Sequence, residues 1–81
     1  MKGMMMKEFL EEIAKNLVDN PDKVTVTEIE GDGVNILKLK VAKEEIGLVI
    51  GKNGRTAEAL RILLNAVGAK AGKKLVLEII E

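Results

Sequence analysis

The 81-residue chain has no cysteine, histidine, serine, glutamine, tryptophan or tyrosine. Each absence closes a route. Without Cys or His there is no disulfide framework and no thiol nucleophile, and most protein metal sites lose their ligands. The commonest general base is missing as well, and the only hydroxyls are Thr25, Thr27 and Thr56. Any catalysis would rest on Lys, Arg and carboxylates alone, so no enzyme and no cofactor is expected. The single aromatic residue, Phe9, falls on the apolar face of a predicted helix. A surface that holds single strands by stacking bases on exposed rings is therefore excluded. No apolar run approaches the length of a membrane span, and Met1–Met6 lacks the apolar stretch of a signal peptide. The expectation is a cytoplasmic protein with no membrane partner.

What is present fits one soluble domain. The hydrophobic fraction is 47% and the charged fraction 32%, both ordinary for a globular chain. Lys and Glu number 11 and 10, a bias shared with thermophile proteins. Formal net charge is zero, yet Gly51–Lys74 holds six basic residues (Lys52, Arg55, Arg61, Lys70, Lys73, Lys74) against one acid, Glu58. A local cationic surface of this kind is the footprint of a polyanion partner. Lys70, Lys73 and Lys74 read equally well as solvated loop charges.

Periodicity orders the chain as α-β-β-α-α-β. Phe9, Leu10, Ile13, Ala14, Leu17 and Val18 form one helical face, and Asn20-Pro21 stops that helix. Val24–Glu30 is a strand whose inward face is ambiguous, with Val24 and Val26 on one side and Thr25, Thr27 and Ile29 on the other. Gly31-Asp32-Gly33 is a hairpin turn, and Leu37, Leu39 and Val41 alternate with Lys38 and Lys40 in the next strand. A short helix follows, with Ile46, Val49 and Ile50 on one face. After Gly51–Gly54 a longer helix carries Leu60, Leu63, Leu64 and Val67 on its apolar face, and Gly68–Gly72 is expected to end it. The last strand, around Leu75, Leu77 and Ile79, is apolar on nearly both sides, which suits a buried place in the sheet. A crossover through two helices predicts that it lies parallel to the Val34–Val41 strand. The fold class is α+β, a three-stranded mixed sheet with helices packed on one face. Residues 6–81 form the single domain, and residues 1–5 are a frayed start.

The segment with chemistry is Gly51-Lys52-Asn53-Gly54. Glycine lets another backbone approach closely and permits positive φ. The segment opens a helix, where unpaired amides and the helix dipole favour an anion. Lys52 and Arg55 add positive charge. The same residues read as a phosphate clamp or as a tight connector between helices.

Val49-Ile50-Gly51-Lys52-Asn53-Gly54 resembles the opening of the KH-domain signature, in the type II arrangement with the extra helix and strand at the N-terminus. The longer string Val49–Ala57, with Asp19-Asn20-Pro21 after the first helix, is similar to the small bacterial single-KH proteins of the KhpA family. The resemblance covers Lys7 to Ile80. One position departs: Ala57 stands where the general pattern has isoleucine, at a place expected to set the width of the groove. The resemblance implies a type II KH fold and a non-catalytic binder of single-stranded RNA, acting as an RNA chaperone or post-transcriptional regulator. The loop of such domains clamps about four nucleotides. Carried onto this chain, Gly51, Lys52, Asn53 and Gly54 hold phosphates, and Ile46, Val49 and Ile50 supply an apolar floor. Arg55 and Arg61 lend charge. Val49 and Ile50 read alternatively as core, and Arg61 as a solvated surface charge. Single-stranded DNA fits the same clamp. The resemblance also implies self-pairing as a homodimer, or pairing with a larger KH-containing protein, and Val24–Glu30 is expected at a sheet edge open to such a partner.

Other patterns fail on spacing. Gly47–Asn53 lacks the register of a phosphate-binding P-loop and its hydroxyl. Glu11-Glu12 and Glu44-Glu45 are adjacent pairs that cannot share a helical face, and are expected as helix-surface charges.

Overall fold

The computed structural model describes residues 6–80. The expected fray at residues 1–5 lies outside them. Three helices and three strands follow in the expected order: α1 Met6–Leu17, β1 Thr25–Glu30, β2 Val34–Lys40, α2 Ile46–Ile50, α3 Arg55–Ala71 and β3 Lys74–Ile80. Short 3-10 turns at Pro21–Lys23, Lys43–Glu45 and Lys52–Gly54 join them.

The sheet has the order β1-β2-β3. β1 is antiparallel to β2, with Val26 opposite Leu39. β3 is parallel to β2, with Leu77 opposite Leu37. The ambiguity in β1 resolves toward Val26, which is buried, while Thr25, Thr27 and Ile29 are exposed. β1 is an edge strand, as expected. β3 is an edge strand as well, and the central place belongs to β2. The apolar second side of β3 does not reflect a central position. Val76 joins Ile29 and Ile36 in one row on the open face of the sheet.

The opposite face of the sheet carries the core. Val26, Leu37, Leu39, Leu75 and Leu77 pack beneath Leu10 and Ala14 of α1 and Leu60 and Leu64 of α3. One polar pair sits at the hairpin end of this face. Buried Asn35 donates from Nδ2 to Glu28 Oε2 at 2.7 Å.

α3 ends inside the expected Gly68–Gly72 stretch. The helix runs through Gly68 and ends only at Gly72, whose φ of 71° is left-handed. Lys73 N donates to Gly68 O at 2.9 Å and Gly72 N to Ala69 O at 3.2 Å, the paired bonds of a Schellman cap. Gly68 stays helical because that turn packs on β3. A Cβ there would lie 2.5 Å from Lys73 O and 3.0 Å from Leu75 Cγ. The buried face of α3 is Ala57, Leu60, Leu64 and Gly68. Leu63 and Val67, expected on that face, are exposed beside Ile62.

Candidate nucleic-acid interface

α2 and α3 meet at Gly51–Gly54, and the local backbone explains both glycines. Gly51 has φ 79° and ψ 170°, and Gly54 has φ 73° and ψ 12°. Neither conformation suits a residue with a Cβ. Asn53 between them has φ 58° and ψ 25°, the left-handed region that Asn tolerates best among ordinary residues. Three residues of four therefore hold positive φ, and the chain reverses within one 3-10 turn. Gly51 N donates to Gly47 O at 2.9 Å, and Gly54 N to Gly51 O at 3.0 Å.

Lys52, Asn53 and Arg55 are exposed, and Gly51 and Gly54 are half-buried. The turn thus projects from the body, and a polymer has access to it. Gly54 occupies the N-cap of α3, and no side chain caps that end. The helix terminus keeps its positive character toward solvent. One expected open amide is not open, because Arg55 N donates to Lys52 O inside the turn.

The remaining site candidates divide. Ile46 is half-buried against the core, and Ile50 is 37% exposed. Val49 is fully buried in the core cluster. The expectation that it lines a groove is corrected: helical spacing put it on the same face as Ile46, and that face turns inward under α2. Arg61 is exposed on α3, two turns beyond the loop. Ala57 is buried on the inner face of α3.

Three further residues shape the site. Leu48, absent from the candidates, is 45% exposed on α2 beside Ile50. Thr56 packs against Gly51, so that a Cβ on Gly51 would lie 2.9 Å from Thr56 N and would strike its hydroxyl. Glu45, expected at the surface, is 4% exposed. Its position one residue before an apolar helix face was the available signal. Among the described residues no group of His, Cys, Asp or Glu is placed to hold a metal ion, and no helix is long and apolar enough to cross a membrane.

The family described as KhpA/KhpB, KH domain, matches residues 7–79. A protein of Aquifex aeolicus named RNA-binding protein KhpA is 55% identical over 76 residues, covering 94% of this chain and 96% of that protein. Its namesake in Clostridium acetobutylicum is 53% identical over 75 residues, covering 93% of this chain and all of the relative. That of Chlamydia trachomatis is 50% identical over 76 residues, covering 94% and 97%. No solved structure matches the chain.

Proposed function

This chain belongs to the KhpA/KhpB KH-domain family, and from that premise we propose that it binds single-stranded RNA, with Gly51–Gly54 as the phosphate clamp. The observation that carries the proposal is the exposed turn with positive φ at Gly51, Asn53 and Gly54, opening directly onto the uncapped start of α3. Close backbone approach, the helix dipole and the charges of Lys52 and Arg55 act at one place. Ile50, exposed on α2 beside the turn, offers apolar surface on which bases would lie, while Leu48, two residues earlier, is exposed on another side of the helix. We assign the domain to the type II arrangement and the protein to non-catalytic work in the cytoplasm, as an RNA chaperone or post-transcriptional regulator. With no ring to stack on, four nucleotides give a Kd on the order of micromolar.

The direct test replaces Lys52 and Asn53 by Asp together. Binding to a short single-stranded RNA should collapse, while circular dichroism and melting stay near wild type. Normal binding by the double variant would remove the loop as the clamp. A DNA strand of the same sequence, run beside the RNA, reads whether the site distinguishes the sugar.

A second reading is self-association, or pairing with a larger KH-containing protein, through β1. Its support is the position of β1 at the sheet edge, where the backbone groups on one side lack a strand partner among the described residues. Sedimentation with and without RNA separates the two readings.

A further inference from the structure

Glu45 is a charged residue that is 4% exposed. Its carboxylate accepts two backbone hydrogen bonds, from Asp19 N to Oε2 at 2.7 Å and from Asn20 N to Oε1 at 3.1 Å. Those amides are available for a physical reason. Pro21 disfavours helical geometry at Asn20, which takes φ −118° and ψ 74°. α1 has already ended at Leu17, so the amides of Asp19 and Asn20 lie beyond the helix and point to Glu45. A carboxylate with two oxygens meets both donors at once. The exit from α1 therefore presents a receptor, the amides of Asp19 and Asn20, for a side chain 25 residues beyond Asn20.

Glu45 is also the residue from which α2 starts. α2 has only five residues, and a helix of that length has no stability of its own. Its orientation must come from anchors. Val49 supplies one, fully buried in the core. Ile46, half-buried against the core, adds a second, and Glu45 supplies a polar one at the start of the helix. At the far end of α2 the chain enters Gly51.

We propose that Glu45 is a positioning residue for the Gly51–Gly54 turn: its carboxylate ties the start of α2 to the exit of α1 and so sets the angle at which α2 presents the turn to a ligand. For its ligand the proposal rests on the RNA reading above. For its geometry it stands alone.

The test compares Glu45→Gln with Glu44→Gln, its exposed neighbour on the same 3-10 turn. Gln keeps the shape of the side chain and one acceptor but turns an N–H toward a second N–H. Two measurements are made well below the melting temperature: the amide resonances of residues 51–56, and the affinity for a short single-stranded RNA. The expected result is that Glu45→Gln moves the loop resonances and weakens RNA binding by about tenfold, while Glu44→Gln changes neither. If Glu45→Gln lowers the melting temperature yet leaves resonances 51–56 and affinity untouched, Glu45 serves only stability and the proposal falls. Should Glu45→Gln be partly unfolded, trimethylamine oxide restores the fold. Affinity that then returns fully also overturns the proposal, and affinity that stays weak supports it. If the Asp double variant of the loop binds RNA normally, the clamp reading fails, and the loop resonances alone decide the role of Glu45.

Discussion

The hydroxyl of Thr56 rests against the Cα of Gly51, in the space where any side chain at residue 51 would begin. The first glycine of the turn is thus constrained twice, by its backbone angles and by its neighbour five residues on. Gly54 is constrained once. Its φ is 73°, but nothing lies within 4 Å of where its Cβ would stand.

The two glycines should therefore respond unequally. Gly51→Ala is expected to cost about 1–3 kcal/mol from strained backbone alone, with a further cost from the collision with Thr56. Gly54→Ala should cost only about 1 kcal/mol, the left-handed penalty of an L-residue. Urea denaturation of both variants measures the difference. The double variant Gly51→Ala with Thr56→Ala should recover only the part of the collision due to the hydroxyl, because the Cβ and N of residue 56, at 2.7 and 2.9 Å, stay in place. Equal costs at 51 and 54 would contradict the packing of Thr56 on the turn.

Two helical glycines should give changes of opposite sign. Gly47 in α2 has open space around its Cβ position. Gly47→Ala should stabilise the protein by about 0.5–1 kcal/mol, because Ala surrenders less chain entropy in a helix. Gly68 has the same intrinsic propensity and the opposite surroundings, with Lys73 O and Leu75 Cγ where a methyl would go. Gly68→Ala should destabilise by about 1–3 kcal/mol through overpacking. Thermal melts of the two single variants check the signs.

Much of this architecture was legible in the chain because the signals were local. Asn20-Pro21, Gly31-Asp32-Gly33 and the alternation Leu37-Leu39-Val41 each define their element within a few residues. The turn at Gly51–Gly54 was legible for the same reason, and its glycines sit at positive φ. What escaped depends on contacts between distant segments. Which residue of Gly68–Gly72 ends α3 was not legible, because propensity carries no information about β3 packing beneath Gly68. Glu45 looked like a surface charge because its partners are amides freed 25 residues earlier. On β3, two apolar sides suggested a buried place in the sheet, whereas an edge strand with an uncovered face carries the same pattern.

Helix α3 shows the limit most directly. Leu63 and Leu64 both fit the apolar spacing, yet Leu64 is 1% exposed and Leu63 38%. Periodicity finds the face to within a residue, and only the sheet beneath decides its centre. Leu64→Ala is expected to cost about 2–5 kcal/mol, since it opens a cavity in the core cluster to which Leu64 belongs. Leu63→Ala should cost about 1 kcal/mol or less. Denaturant midpoints at constant slope read the pair.

The salt dependence of RNA binding distinguishes a clamp from a diffuse cationic surface. Each phosphate neutralised on a single strand adds about −0.7 to the slope of log affinity against log salt. Lys52 stands in the turn, and Lys70 lies near the far end of α3, roughly 22 Å away along the helix at ~1.5 Å per residue. That separation exceeds a Debye length of about 8 Å at physiological ionic strength. With a tetranucleotide, Lys52→Ala should reduce the slope by about 0.7, and Lys70→Ala should leave it unchanged. With a strand long enough to run the length of α3, Lys70→Ala should reduce it as well. Equal effects of the two variants on the tetranucleotide would mean that the strand reads the whole cationic segment from Gly51 to Lys74, with no privileged grip at the turn.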